Sequence, residues 1–172
     1  MENLKSNFDF SLRPKIEKRF ISKVYSEEKP NCFLFDLDGT LAESNGRSMF
    51  SPTHDEILAD APIAPVISVL QALSEKYTVV FLSGREDTYV ESTRTWIRNH
   101  IVRDAEQEII LHMRPEGDFR KDSVIKREIL NREILPHYNV IAAFDDRLQV
   151  QRECWNAENI FSFNVNQFLL EY

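Results

Sequence analysis

Short apolar segments alternate with amphipathic segments along most of the chain, and this alternation is the feature that most restricts its fold. The apolar segments read CFLFDL, TVVFLS, EIILHM, NVIAAF and NIFSF, and each has the length and composition of a strand. The segments between them, APVISVLQALSEKY, DTYVESTRTWIRNHI, RKDSVIKREILNREIL and DRLQVQRECWNA, are predicted to be helices. Alternating strands and helices are typical of a parallel sheet covered by helices on both faces. We therefore predict an α/β fold.

The length of 172 residues suits one main domain. Residues 1–30 show no clear periodicity and end at Pro30, so we predict an N-terminal arm over residues 1–30, with a helix at 14–25, and a domain over residues 31–172. The arm has a net charge of +2 and the domain a net charge of −9, which makes the whole chain −7. This balance argues against a protein that coats nucleic acids, so any such contact should be local.

The sequence contains no run of the roughly 18–20 apolar residues that a membrane-spanning helix requires. Its first residues lack the apolar stretch of a secretory signal, so we expect a cytoplasmic protein without membrane contact. Neither Cys32 nor Cys154 belongs to a metal-binding spacing, and both are predicted to be buried free thiols.

Polar residues follow each of the first four predicted strands. Those after the first strand are Asp36, Asp38 and Thr40; those after the second are Ser83, Gly84 and Arg85; those after the third are Arg114, Asp118 and Lys121; and those after the fourth are Asp145 and Asp146. Taken singly they have ordinary explanations, since Asp-Gly is a common turn and Asp often caps a helix. Because the carboxyl ends of parallel strands share one edge of a sheet, we expect the set to converge in one cleft.

The residue types in this cleft indicate phosphoryl transfer. The four carboxylates of Asp36, Asp38, Asp145 and Asp146 need a cation to neutralise them. Carboxylate and carbonyl oxygens suit Mg²⁺ best. Ser83, nearby backbone amides and Lys121 are suited to hold phosphate oxygens. One carboxylate is then available to attack phosphorus and form an aspartyl-phosphate, while a second, two residues further on, gives a proton to the leaving oxygen.

The ordered segments FDLDGT, LSGR, RKDS and FDDR resemble the four motifs of the haloacid dehalogenase (HAD) superfamily. The resemblance implies a HAD-like Rossmannoid sheet, with Asp36 as nucleophile and metal ligand. It implies that Asp38 is the general acid/base and offers its carbonyl oxygen to the metal. The other implied roles are bracing of the turn by Thr40, phosphate binding by Ser83 and Gly84, stabilisation of Asp36 and the phosphate by Lys121, and Mg²⁺ ligation by Asp145 and Asp146.

Longer stretches, including FDLDGTLAESNGR, VVFLSGRED, RPEGDFRKDSVIKREIL and FDDRLQVQRECW, resemble the 3′-phosphatase domains of T-even phage polynucleotide kinases over most of residues 31–155. This resemblance implies that Arg47, Arg85 and Arg114 hold the substrate and that Asp118 positions Lys121. Tyr89 or the 47–55 loop is a candidate for stacking on a terminal base, with plain packing as the simpler alternative for Tyr89. No GxxxxGK[ST] sequence is present, so the chain lacks a P-loop kinase half.

Both places where HAD enzymes carry an inserted cap are short here, about 25 residues between Asp38 and the helix at 64 and under ten before Lys121. We therefore expect only a minimal cap and an open cleft that admits a polynucleotide end. The resulting hypothesis is a Mg²⁺-dependent polynucleotide 3′-phosphatase for nucleic-acid end repair, acting on DNA or RNA 3′-phosphates. The alternatives are a small-molecule phosphatase or nucleotidase, and a non-catalytic module that binds phosphorylated ends. By resemblance we also expect a phage-encoded protein in the host cytoplasm and a separate kinase or ligase partner.

Overall fold

The computed structural model describes residues 25–166, except residues 45, 49–51, 103 and 105. Its strands are β1 (Asn31–Phe35), β2 (Ala42–Glu43), β3 (Ala61–Pro62), β4 (Thr78–Glu86), β5 (Ile110–Arg114), β6 (Asn139–Asp145) and β7 (Phe161–Asn164). Five of them form one sheet in the order β5–β4–β1–β6–β7, in which all neighbours are parallel. The predicted parallel sheet is therefore confirmed.

Helices cover both faces of this sheet. They are α1 (His54–Leu58), α2 (Ala64–Ser74), α3 (Val90–His100), α4 (Asp122–Ile129) and α5 (Leu148–Val150). A 3₁₀ turn at Asp87–Tyr89 leads into α3, and π-helical turns at Leu130–Ile134 and Gln151–Trp155 extend α4 and α5. A second 3₁₀ turn, Asn156–Glu158, precedes β7.

The central strand β1 shows why the sheet needs cover on both faces. Successive side chains of a strand point to opposite faces. Cys32 and Leu34 accordingly pack in one buried cluster with α4 and the turn that ends at Trp155. Phe33 and Phe35 pack in the other cluster with residues of α2 and α3. The aromatic and aliphatic run of β1 is thus buried throughout, as its sequence predicts.

The strand order brings the polar strand ends together. Strand β1 lies between β4 and β6, so the residues that follow these three strands are neighbours at one edge of the sheet. The β4–β5 pairing is irregular between Ser83 and Glu86, where the polar segment begins. Ligand sites in open α/β sheets lie at this edge.

The segment between β1 and α2 is as small as expected for a minimal cap. Strands β2 and β3 pair antiparallel, with Ala42 opposite Pro62. Helix α1 has five residues and begins with a reciprocal capping box between Thr53 and Glu56.

The described end of the predicted arm is attached to the sheet. The side chain of Asn139 binds the backbone of Ser26 and of Lys29, at distances of 2.7–3.0 Å, and the Lys29 Nζ donates to the Leu135 carbonyl at 2.8 Å. The helix predicted at 14–25 falls almost entirely outside the described residues. None of the helices in the described ranges is long and apolar enough to cross a membrane.

Candidate active site

A buried lysine holds three carboxylates together at the carboxyl edge of the sheet. The Nζ of Lys126, on α4, lies 2.8 Å from Asp36 Oδ1 and 3.0 Å from Asp145 Oδ2. It also lies 3.3 Å from Asp122 Oδ2, one helical turn before it. Burial alone would lower the pKa of Lys126, but Asp122, Asp145 and Asp36 outweigh burial and raise it well above its usual value. Lys126 is therefore a fixed positive charge in the floor of the cleft.

The structure does not bring Lys121, the lysine predicted from the sequence, into contact with Asp36. Lys121 precedes α4, has a side chain that is 65% exposed, and makes its ion pair with Glu153 at 3.9 Å. Lys126, with a side chain that is 1% exposed, makes the contact with Asp36 that was expected of Lys121. The reason is geometric: side chains of a helix lean back towards its N-terminus, so a residue in the second turn reaches the strand end below.

Three carboxylates form a candidate metal centre. Oxygens of Asp36, Asp145 and Asp146 all lie within 4.8 Å of one another. The Oδ1 atom of Asp146 is buried and has no hydrogen-bond partner. Burial and the charge of Asp145 raise the pKa of Asp146 to about 6. Burial likewise raises the pKa of Asp36, despite the opposing charge of Lys126. A cation bound by these oxygens would remove both penalties, so the donor set fits a hard metal ion.

The Asp145 carboxylate of this candidate metal centre is held by several donors besides Lys126. The indole Nε1 of Trp155 donates to its Oδ2 at 3.3 Å, and the backbone amide of Arg147 donates to its Oδ1 at 2.9 Å. The Gln151 side chain donates to the Asp145 carbonyl at 3.0 Å. Donors of this kind fix the orientation of a metal ligand.

Two glycines allow the polar segments to approach closely. Gly39 has a φ of +78°, and a Cβ at this position would overlap the Asp146 carboxylate. A Cβ at Gly84 would overlap Oδ1 of Asp122. The Asp38-Gly39 turn and the Ser83-Gly84 turn are therefore packed directly against acidic side chains of the site.

Asp38 belongs to a network of two carboxylates and two arginines. Arg85 donates to both oxygens of Asp38, at 2.8 Å and 2.7 Å, and also to Asp60 at 2.7 Å. Arg47 contacts Asp38 and binds Asp60 through two donors at 2.7 Å each. Burial would raise the pKa of Asp38, but the hydrogen bonds and charges of Arg85 and Arg47 outweigh burial and lower it. The Nη1 atom of Arg85 is buried without a hydrogen-bond partner.

The other residues predicted for phosphate binding lie nearby. The Thr40 hydroxyl is 3.5 Å from Asp36 Oδ2, so it braces the carboxylate at the limit of a hydrogen bond. Ser83 is buried, and its Oγ accepts from the backbone amide of Arg85 at 3.2 Å. Gly84 offers its carbonyl to the Nε of Arg114 at 2.7 Å.

Arg114 connects the β4 turn to the loop that follows β5. Its Nη1 donates to the carbonyls of Asp118 and Arg120, at 2.8 Å each, and its Nη2 lies 3.3 Å from Asp122 Oδ1. Asp118 was expected to position Lys121, but its carboxylate binds Arg120 at 2.6–3.1 Å instead. That pairing lowers the pKa of Asp118 to about 2.

Four residues of this site were not predicted from the sequence, namely Asp60, Asp122, Lys126 and Trp155. A signal for two of them was present. Asp122 and Lys126 are four residues apart, on the same helix face as the apolar Ile125 and Ile129, and a charged pair on an apolar face is a sign of function or of pairing. Asp60 and Trp155 have no comparable signal, because they reach the site only through the packing of α1 and of the turn after α5.

The chain is similar to known proteins along most of its length. The family model described as the polynucleotide kinase PNKP phosphatase domain matches residues 30–168. A protein of Autographa californica nuclear polyhedrosis virus, named as a bifunctional polynucleotide kinase/RNA ligase, is 31% identical over an alignment of 183 positions, which covers 99% of this chain and 26% of that protein.

Solved structures of RNA repair assemblies are also similar. A chain in a structure of the Pnkp1/Rnl/Hen1 RNA repair complex has a TM-score of 0.74 and 32% identity, over 87% of this chain and 46% of that one. A second structure of the Pnkp1/Rnl/Hen1 complex gives a TM-score of 0.72 and 35% identity, over 81% of this chain and 47% of that one. The chain thus spans about a quarter of its viral relative and just under half of the two structural relatives.

Proposed function

This chain belongs to the family of polynucleotide kinase phosphatase domains, and we propose that it is a Mg²⁺-dependent phosphomonoesterase that removes 3′-phosphates from DNA or RNA ends. The observation that carries the proposal is the contact of Lys126 with Asp36, at 2.8 Å, beside the partnerless oxygen of Asp146. A buried carboxylate next to a fixed cation and further carboxylates is suited to nucleophilic attack on phosphorus.

Each residue has a role in the proposed reaction. An oxygen of Asp36 attacks phosphorus, and the bond from phosphorus to the 3′ oxygen breaks. Asp38 gives its proton to that leaving oxygen. Water then attacks the aspartyl-phosphate and loses a proton to Asp38, which releases inorganic phosphate and restores Asp36. Ser83 and Gly84 hold the phosphoryl oxygens, and Thr40 braces the turn. Lys126 stabilises the negative charge of the phosphoryl oxygens.

Asp38 must be protonated before it acts as an acid, whereas the two arginines hold its pKa low. Arg47 and Arg85 are also the groups proposed to bind the substrate. When they turn to phosphate oxygens of the substrate, burial is left as the dominant influence on Asp38, and burial raises the pKa of a carboxyl. Substrate binding would therefore switch Asp38 to the form that the reaction needs.

The metal in this proposal is Mg²⁺. Asp36, Asp145 and Asp146 supply carboxylate oxygens, and Asp38 adds its carbonyl oxygen, as the resemblance to the HAD superfamily implies. Mg²⁺ prefers such oxygen ligands and commonly joins a few carboxylates to a substrate phosphate. When bound, it would neutralise the charge that develops on the phosphoryl group.

The polynucleotide substrate is proposed from the small cap and from the relatives. The ribbon of β2 and β3 and the short helix α1 are the whole described cap, which is too small to enclose a substrate. The relatives are named for polynucleotide kinase, RNA ligase and RNA repair. We therefore propose RNA ends among the substrates and a kinase or ligase as a partner. The cytoplasmic location and the phage origin of the protein stay predictions.

The direct test measures phosphate release from a 3′-phosphorylated oligonucleotide, from its 5′-phosphorylated twin and from nucleoside 3′-monophosphates. We expect Mg²⁺-dependent release from the 3′ end only, no release with EDTA, and no release by the Asp36→Asn variant. Preference for the free nucleotides would favour a nucleotidase. No release from any of the three would contradict the proposed function.

A further inference from the structure

Phe119 is the most exposed large apolar side chain in the part of the chain that the structure describes. It is 88% exposed, whereas the next, Tyr25, is 51% exposed. A phenyl ring in water forgoes the burial energy that aromatic side chains normally contribute. Phe119 therefore adds little to the fold, although it stands at the edge of the proposed site.

The loop that carries Phe119 is fixed without the help of its ring. Arg114 binds the carbonyls on either side of it, those of Asp118 and Arg120, at 2.8 Å each. The Asp118 carboxylate binds the backbone amide of Arg120 at 3.1 Å as well as its guanidinium. At the start of the loop, the amide of Glu116 donates to Asp87 at 3.0 Å. The ring is thus presented to solvent from a held backbone.

The same arginine places Phe119 relative to the phosphate-binding turn. Its Nε binds the Gly84 carbonyl at 2.7 Å while its Nη1 binds the two loop carbonyls. The guanidinium of Arg114 therefore bridges the backbone beside Phe119 and the Ser83-Gly84 turn. In a 3′-phosphorylated terminal nucleotide, the base and the phosphate are attached to the same sugar. A phosphate bound at that turn therefore brings unpaired bases of the 3′ end close to the loop that carries Phe119.

We propose that Phe119 is a stacking platform for one unpaired base at or next to the 3′ end of the substrate, an inference that rests on the proposed function. Stacking on an aromatic ring tolerates any base and is worth about 1–3 kcal/mol per base. It also suits an acidic chain of net charge −7, which gains little from attraction to a phosphate backbone. Asp118, the acidic residue directly before Phe119, is already paired with Arg120.

Tyr89, the stacking candidate from the sequence, has a less favourable position. Its ring lies 5.5 Å from that of His54, edge to face, and the side chain is half-buried. The tyrosine is therefore engaged in packing against α1, in keeping with the simpler alternative for it, while Phe119 is open.

The test uses the full chain and a set of 3′-phosphorylated oligonucleotides that carry one abasic site at the terminal, second or third position. Phe119→Ala and Phe119→Trp are compared with the unchanged protein. Phe161→Ala is the matched control, because this residue is also an exposed phenylalanine but lies on β7, at the opposite edge of the sheet from β5. KM and kcat are measured for each pair of protein and oligonucleotide.

We expect Phe119→Ala to raise KM about 5- to 10-fold on the intact oligonucleotide, which corresponds to the lower part of the stacking range, with kcat unchanged. Phe119→Trp and Phe161→Ala should keep the original KM. At one abasic position the effect of Phe119→Ala should vanish, which identifies the stacked base. An effect that persists at every abasic position, or no effect on the intact oligonucleotide, would overturn the proposal.

A binding measurement separates this inference from the proposed function. In the Asp36→Asn background, an oligonucleotide with 2-aminopurine at the identified position should lose fluorescence on binding, and Phe119→Ala should restore it. Unchanged fluorescence on binding would reject stacking even if the enzyme is active. If the unchanged protein releases no phosphate from any oligonucleotide, the proposed function fails and this inference fails with it.

Discussion

At the scale of single residues, the site depends on opposite charges that cannot be separated without cost. Lys126 is surrounded by Asp36, Asp122 and Asp145, and all four side chains are nearly inaccessible to solvent. Removing one partner of a buried ion pair leaves an uncompensated charge, which costs about 3–5 kcal/mol. Loss of Lys126 should therefore destabilise the site and also change the charge beside Asp36, the proposed nucleophile.

Replacing Lys126 with Met should lower phosphatase activity by at least about 10²-fold, because it removes a preorganised charge from the phosphoryl group. Lys121→Met is the matched control, and its exposed pair with Glu153 is worth about 1 kcal/mol or less. It should therefore lose no more than about fivefold. Phosphate release measures the activity of both variants, and circular dichroism checks that each variant is folded. The assignment is wrong if Lys121→Met is the inactive variant.

Trp155 is expected to act on metal binding through its contact with Asp145. Replacing it with Phe keeps a large aromatic ring and deletes the Nε1–H that donates to Asp145 Oδ2. The loss of such a donor should weaken Mg²⁺ binding roughly tenfold. Trp96→Phe is the control, because the indole of this buried residue donates to the Asp60 carbonyl instead. Calorimetric titration with Mg²⁺ should show weaker binding for Trp155→Phe alone; equal affinities would contradict the role.

At the scale of elements, the strands and their ends were predictable and the contacts made by helices were not. A strand that passes through the middle of a sheet must be apolar, so CFLFDL and NVIAAF identify β1 and β6, and the acidic residues after them identify the site edge. Spacing along a helix does not show which residue reaches that edge. Lys121, which lies within the RKDS segment, was therefore predicted in place of Lys126.

The tight turn after β1 gives a prediction at this scale. Gly39→Ala should place a methyl group on the Asp146 carboxylate, in addition to the strain of a positive φ. Gly117→Ala is the control, since its φ of +72° gives similar strain and nothing lies within 4 Å of the added atom. Both variants should lose about 1–2 kcal/mol of stability from that strain, measured by urea unfolding. Only Gly39→Ala should also lose Mg²⁺ affinity. An unchanged affinity would show that the turn shifts to make room for the methyl group.

At the scale of the whole molecule, the fold concentrates negative charge at one edge of an already acidic domain. The net charge is −7, and Asp36, Asp145 and Asp146 add local repulsion. Lys126 offsets part of this repulsion, and Arg147 offsets part of it at Asp146. A ligand that binds only the folded state stabilises it. The metal is thus expected to support the fold as well as the reaction.

This coupling predicts a pH-dependent effect of metal on stability. Burial and Asp145 raise the pKa of Asp146 from 3.8 to about 6, against the opposing charges of Lys126 and Arg147. Between these values the folded, metal-free protein binds more protons than the unfolded chain, so its stability falls as the pH rises. Mg²⁺ binds the ionised carboxylate, and its stabilising effect should therefore grow over the same range.

At a Mg²⁺ concentration of about 100 times Kd the gain at pH 7.5 is about 2.7 kcal/mol, which corresponds to roughly 5–10 °C in Tm for a chain of this size. We expect a clearly smaller shift at about pH 5, below the raised pKa, and no shift in EDTA. Asp146→Asn should raise the metal-free Tm at pH 7.5 and reduce the Mg²⁺ shift, because it removes the buried charge and a metal ligand together. A Mg²⁺ shift of equal size at both pH values would show that ionisation of this carboxylate does not limit metal binding.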